Sequence, residues 1–225
     1  MTIEQTKIGW GFWLKWVLAT TVGFSICTIV FFILGKFVAF MIGYPHEDPF
    51  FYHLAYNIYF IVVCTGVGII QWLILRRRVS RVGWWAPAMV VGFVLTFVLL
   101  YALPITRNYF LSSEHSFSFI LVWSIRLALG GTLAGVFQWF FLRRHISRAG
   151  WWVLASAVGW SLGAMVCWLG DLFLFKWIYP IGPASSFLER FLHILNASGL
   201  LFGIIMGAVT GGALVWLLRQ PVNVE

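Results

Sequence analysis

The chain has 225 residues, of which 61% are hydrophobic and 10% charged, and it carries a formal net charge of +8 at pH 7. So apolar a composition excludes an ordinary soluble domain and a disordered chain, and its long uncharged runs belong to a membrane protein. The positive balance does not indicate a nucleic-acid partner, because the cations gather at the ends of apolar runs instead of forming one stripe.

The N-terminus mixes Glu4 and Lys7 ahead of a first apolar run long enough to span, so no cleavable signal peptide is expected. A membrane core of about 30 Å needs about 20 apolar residues. Six stretches qualify: 16–35, 54–75, 85–103, 121–142, 152–171 and 195–217. Lipid cannot satisfy exposed backbone N–H and C=O groups, so these segments are predicted helices, and residues 1–225 form one all-α, polytopic transmembrane domain. The first and fifth spans stay apolar as far as Gly43 and Ile178, then stop at Tyr44-Pro45 and Tyr179-Pro180, where proline ends a helix. Pro87 falls in the first turn of the third span, where its missing N–H does no harm.

Arg76, Arg77, Arg78 and Arg81 lie between spans two and three, and Arg143, Arg144 and Arg148 between spans four and five. Lys7, Lys15 and Arg219 flank the termini on the same side. On the opposite side Lys36, Arg107, Lys176 and Arg190 are offset by Glu47, Asp48, Glu114 and Glu189. The positive-inside rule therefore puts both termini in the cytoplasm. The arginines are headgroup-facing candidates, with anionic lipids as the sharper expectation.

A two-helix unit recurs. Residues 68–93 align with residues 135–160 without a gap, each with Gln-Trp-x-x-Leu-Arg-Arg before a short turn and Gly-Trp-Trp after it. Residues 16–25 repeat the second half at 152–161, and residues 212–217 resemble the first half, with Val215 where the others have Gln71 and Gln138. Copies separated by an even number of crossings share one orientation and relate by an axis along the membrane normal. The expected fold is three pseudo-threefold hairpins: helix 2 with 3, helix 4 with 5, and helix 6 with 1 across the chain ends. Ten of the fourteen Trp residues (Trp10, Trp13, Trp16, Trp72, Trp84, Trp85, Trp139, Trp151, Trp152 and Trp216) fall near the cytoplasmic edge. They read as an interfacial belt. Gln71 and Gln138, just inside that edge, suit hydrogen bonds between helices.

Gly199, Gly203, Gly207 and Gly211 recur every fourth residue, a stripe that lets another backbone approach closely, either within the monomer or between copies. Cys27, Cys64 and Cys167 lie inside spans without C-x-x-C spacing and read as packing residues.

Candidate chemistry is sparse. Arg126 and Asp171 fall within span limits at similar depth, about 24–28 Å from the cytoplasmic edge at 1.5 Å per residue. An intramembrane charge is costly unless paired or hydrated, so the two are an ion-pair candidate near the outer mouth. The outer connections each join histidine to carboxylate: His46, Glu47 and His53; Glu114 and His115; Glu189 and His193. Together they are a metal or cofactor candidate, although no strict ligand spacing supports it and the cofactor itself is unknown. Ser161 sits in G-x-S-x-G, which raises an intramembrane serine protease as a remote reading. Depth opposes it: Ser161 lies about 14 Å from the cytoplasmic edge and His193 near 30 Å, against the roughly 3 Å a catalytic hydrogen bond needs.

The pattern G-x-x-Q-W-x-x-L-R-R-x5-G-W-W, at 68–85 and 135–152, resembles a motif of uncharacterised multi-spanning bacterial proteins from cyanobacteria and other photosynthetic or filamentous lineages. The resemblance covers the hairpins and adjoining helix halves. It implies a bacterial inner or photosynthetic membrane and no assigned activity. The leading expectation is a non-enzymatic integral membrane protein, an accessory or structural subunit or a small-ligand-binding protein, with the bilayer, a membrane-protein partner or a second copy as its partners. The alternative is a small-solute or ion transporter or channel.

Overall fold

The structure, a computed structural model, describes residues 9–42, 49–79, 82–102, 117–178 and 199–220. Among these the chain is helical and contains no strand. The helices are α1 (Trp10–Ile42), α2 (Pro49–Leu75), α3 (Trp85–Ala102, entered through a 3-10 turn at Val82–Trp84), α4 (Phe117–Leu142), α5 (Trp151–Ile178) and α6 (Phe202–Leu218). A single π turn at 199–201 leads into α6.

Five segments are long and apolar enough to cross a bilayer: Trp10–Val30, Val82–Leu100, Ile120–Leu142, Trp151–Gly170 and Gly199–Leu218. The described apolar stretch of α2, Phe60–Leu75, is shorter, although the helix itself has 27 residues. Several helices overrun the apolar windows read from sequence. α1 starts at Trp10 instead of 16, α2 at Pro49 instead of 54, and α4 at Phe117 instead of 121. Apolarity marks where lipid lies, whereas i to i−4 bonding continues through the polar interface for as long as no proline stops it. α1 and α5 are described as far as Ile42 and Ile178, and their Tyr-Pro pairs lie outside the described residues.

Each helix packs on its neighbours in the chain, and α6 closes onto α1. The two Arg-bearing turns, the start of α1 and the end of α6 all lie at one end of the bundle. There Trp16, Leu75, Val79, Trp85, Leu142, Ile146, Trp152 and Leu214 share a buried cluster. We call this the basic end.

The surface is arranged for lipid. Along α1, Leu14, Leu18, Val22, Ile26 and Val30 point outward at every fourth residue, while Trp16, Thr20 and Phe24 point inward. Buried polar side chains such as Thr20, Gln71, Thr96, Gln138 and Thr210 lie inside. A surface this apolar, with the few polar side chains of the spans kept inside, fits a polytopic membrane protein. Helix hydroxyls bond back to their own backbone, as in Thr65 Oγ1 to Ile61 O (2.7 Å) and Thr96 Oγ1 to Gly92 O (2.8 Å). Such bonds keep those hydroxyl hydrogens from facing hydrocarbon.

Candidate functional site

The most elaborated side-chain arrangement in the described bundle is a tryptophan cluster at the basic end. α1, α3 and α5 each contribute one indole: Trp16, Trp85 and Trp152. Ring centroids lie 6.3 Å apart for Trp16–Trp85, 6.2 Å for Trp16–Trp152 and 5.2 Å for Trp85–Trp152. The first two pairs meet edge to face, a geometry favoured by the aromatic quadrupole.

An indole N–H is a donor only, and each of these finds an acceptor on the neighbouring helix. Trp85 Nε1 donates to Gln71 Oε1 (3.2 Å), and Trp152 Nε1 donates to Gln138 Oε1 (2.9 Å). Trp16 Nε1 donates to Thr210 Oγ1 (3.1 Å). Thr210 in turn donates to Met206 O (2.7 Å), and the Gln71 amide donates to Thr20 Oγ1 (3.2 Å). Leu75, Leu142 and Leu214, each four residues past the acceptor, are all fully buried beneath the cluster.

Backbone approach recurs with the same spacing. Three residues before each acceptor stands a glycine: Gly68, Gly135 and Gly207. A Cβ at these positions would fall 2.9 Å from Ala86 Cα, 3.1 Å from Val153 Cα and 3.0 Å from Val17 Cα. Real Cβ atoms rarely come so near, so glycine sets the helix separation that lets indole and acceptor meet.

Eight residues after each tryptophan comes a second aromatic layer, Phe24, Phe93 and Trp160, with Trp160 4.3 Å from Phe93 and 5.5 Å from Phe24. Beyond it Phe60 stacks on Phe93 (6.3 Å) and on Trp123 (6.3 Å). Aromatic side chains thus fill the described interior in successive layers.

Two expectations require correction. The tryptophan belt is split: Trp84 and Trp151 are 65% and 56% exposed, but Trp85 and Trp152, the second members of each Gly-Trp-Trp, are 0% and 1% exposed, and Trp16 is 0%. Composition cannot separate them, because an interfacial indole and a core indole with an acceptor are the same residue type. The alignment of the last helix also shifts by five residues. The structural counterpart of Gln71 and Gln138 is Thr210, not Val215. Sequence identity favoured residues 212–217, whereas the geometry follows Gly-x-x-acceptor with leucine four residues later. That spacing at Gly207, Thr210 and Leu214 was the signal available in the sequence.

The glycine stripe faces inward. A Cβ on Gly203 would lie 2.6 Å from Thr21 Cα, one on Gly199 3.2 Å from Ser25 Cα, and one on Gly211 2.8 Å from Trp16 Cδ1. All four stripe glycines therefore meet α1 of the same chain.

The remaining candidates scatter. Arg76, Arg77, Arg78, Arg143, Arg144 and Arg148 are exposed at the basic end. Arg148 adopts φ 59°, a left-handed conformation that turns the chain toward α5. Arg126 is buried in α4, 5% exposed, with its guanidinium 4.9 Å from the Trp123 ring centroid. Asp171 lies within α5 and His53 within α2, but their side chains fall outside the described residues. So do His46, Glu47, Glu114, His115, Glu189 and His193. Among the described residues no group of three His, Cys, Asp or Glu is placed to hold a metal ion.

The fold and this cluster define the class: a polytopic helical membrane protein. The chain matches no family model, no curated protein and no solved structure.

Proposed function

We propose that this is a non-enzymatic membrane protein, an accessory or structural subunit or a small-ligand-binding protein of a bacterial inner or photosynthetic membrane. Its three helix pairs, α2 with α3, α4 with α5 and α6 with α1, relate by a pseudo-threefold axis along the membrane normal, with the basic end in the cytoplasm. One observation carries this reading. Among the residues that recur in the chain, Gln71 and Gln138, Trp85 and Trp152, Gly68 and Gly135, and Leu75 and Leu142 are spent on packing and on hydrogen bonds inside the bundle. The stacked aromatic layers leave the described axis occupied by side chains, which favours a scaffold over a conduit.

The test is flux. Protein reconstituted in vesicles should pass neither small cations nor anions above the empty-vesicle rate, and its absorption spectrum and metal content should reveal any bound pigment or ion. Selective flux would overturn the scaffold reading. Accessibility of a cysteine introduced at Arg77 in oriented membrane vesicles tests the sidedness independently.

A second reading, a transporter or channel, draws on Arg126. A buried guanidinium within a span is a functional candidate by default. An anion flux abolished by Arg126→Gln, with the fold retained, would favour it.

A further inference from the structure

The two Arg-bearing turns begin alike, over residues 76–79 and 143–146. Arg76 N–H donates to Trp72 O, and Arg143 N–H donates to Trp139 O, each at 2.8 Å. Val79 and Ile146 donate to Leu75 O and Leu142 O, each at 2.9 Å, and tuck their side chains back into the buried cluster. Residues 76–79 and 143–146 are therefore held back against the helices they follow.

On each, one arginine is held against an aromatic face. The Arg76 guanidinium lies 5.0 Å from the Trp72 ring centroid; that of Arg143 lies 4.9 Å from Trp139 and 4.7 Å from Phe140. A stacked guanidinium keeps its in-plane N–H donors available for a phosphate and loses little freedom on binding it. Arg77 and Arg144 stand exposed beside them. Among the described residues this end carries no Asp or Glu to compete.

Immediately along the helix the surface turns apolar. Ile69 and Leu73 are exposed below Arg76, and Phe140 below Arg143. The partner these surfaces fit is thus anionic at one end and hydrocarbon at the other. A soluble phosphate compound answers only half of that description.

The same register leaves α6 without a counterpart: Gly211 and Val215 stand where the others have Trp and Arg. The space of a Gly211 side chain is already taken by Trp16 and Trp13.

We propose that the basic end holds two matched sites for the phosphate of an anionic phospholipid, one at Arg76 and Arg77 against Trp72, the other at Arg143 and Arg144 against Trp139, and none on α6. The proposal rests on the membrane reading above. It deepens that reading by fixing the headgroup chemistry and the number of sites.

Native mass spectrometry of the detergent-solubilised full chain, titrated with phosphatidylglycerol or phosphatidylcholine, tests it. The wild type should retain two phosphatidylglycerols and no phosphatidylcholine at the same concentration. Arg76→Gln with Arg77→Gln should retain one, as should Arg143→Gln with Arg144→Gln, and the four substitutions together none. Affinity should fall about fivefold for each arginine removed. Trp72→Leu, which keeps every charge, should weaken only the first site. The substituted arginines are exposed, so an unchanged helical signal on heating should accompany each loss.

A third phosphatidylglycerol of equal affinity, equal retention of phosphatidylcholine, or wild-type retention by the fourfold variant would each overturn the proposal. So would retention of inorganic phosphate at the same arginines with no lipid present. If the membrane reading itself fails, the wild type will be recovered without detergent, before any lipid is added.

Discussion

The helix pairs α2–α3 and α4–α5, adjoining in the chain, and the pair formed by α6 and α1 reach similar geometry by different means. In α2–α3 and α4–α5 a short turn holds the helices together, and a long glutamine spans the gap to the indole. In α6–α1 no turn exists. There the helices meet through four glycines, Trp13 Nε1 donates to Ala208 O (3.1 Å), and the acceptor is the shorter Thr210. Covalent linkage keeps the loop-closure cost of pairing small when the loop is short. Without it, the glycine contacts and the added Trp13 hydrogen bond must supply the association. The same indole arrangement is thus reached both with a short connection between the helices and without one.

The largest expected effect is at the cluster itself. Trp16→Ala should destabilise the bundle by about 4 kcal/mol, the range for truncating a buried aromatic. Unfolding in a denaturing-detergent titration measures it. A loss below 1 kcal/mol would return Trp16 to the interface. Next comes Gly203→Leu, which drives a side chain into the Thr21 backbone and should cost about 3 kcal/mol. Light scattering in detergent should show unchanged oligomeric mass. A changed mass with stability retained would mean that the stripe joins copies instead of helices.

Smaller effects sharpen the comparison. Thr210→Val and Gln138→Leu each remove one acceptor and should cost about 1 kcal/mol. Double-mutant cycles with Trp16→Phe and Trp152→Phe should give coupling of about 0.6 kcal/mol in both pairs. Coupling at Gln138 but not at Thr210 would break the equivalence. Smallest of all, Trp84→Phe and Trp151→Phe, on exposed rings, should stay within about 0.5 kcal/mol in the same assay.

Much of the helical layout was legible because lipid imposes it: apolar runs of about 20 residues have one secondary structure available. The likeness of residues 68–93 to 135–160 located both turns, and the matched glutamines indicated bonds between helices. Helix ends were less legible, since Trp10 and Pro49 continue helices into regions where hydropathy has already fallen. The cluster was hidden by residue type. Adjacent tryptophans such as Trp151 and Trp152 lie on faces about 100° apart on a helix, and only packing decides which one meets lipid. The register of α6 was masked by the exchange of glutamine for threonine, which keeps the acceptor and discards the identity. Arg126 stood out in the sequence as an intramembrane charge, and its stacking on Trp123, three residues away, follows from helical spacing.

The contact between α6 and α1 also sets an order of events. Synthesis runs from α1 toward α6, so the first helix delivered to the bilayer waits through four others before its glycine-faced companion emerges. Until then the indole of Trp16 has no hydroxyl to engage, and the flank of Val17 and Thr21 borders acyl chains. Insertion of the last helix is therefore the step that shuts the ring, and a ribosome halted before Phe202 would leave in the membrane an open five-helix arc with two unsealed edges.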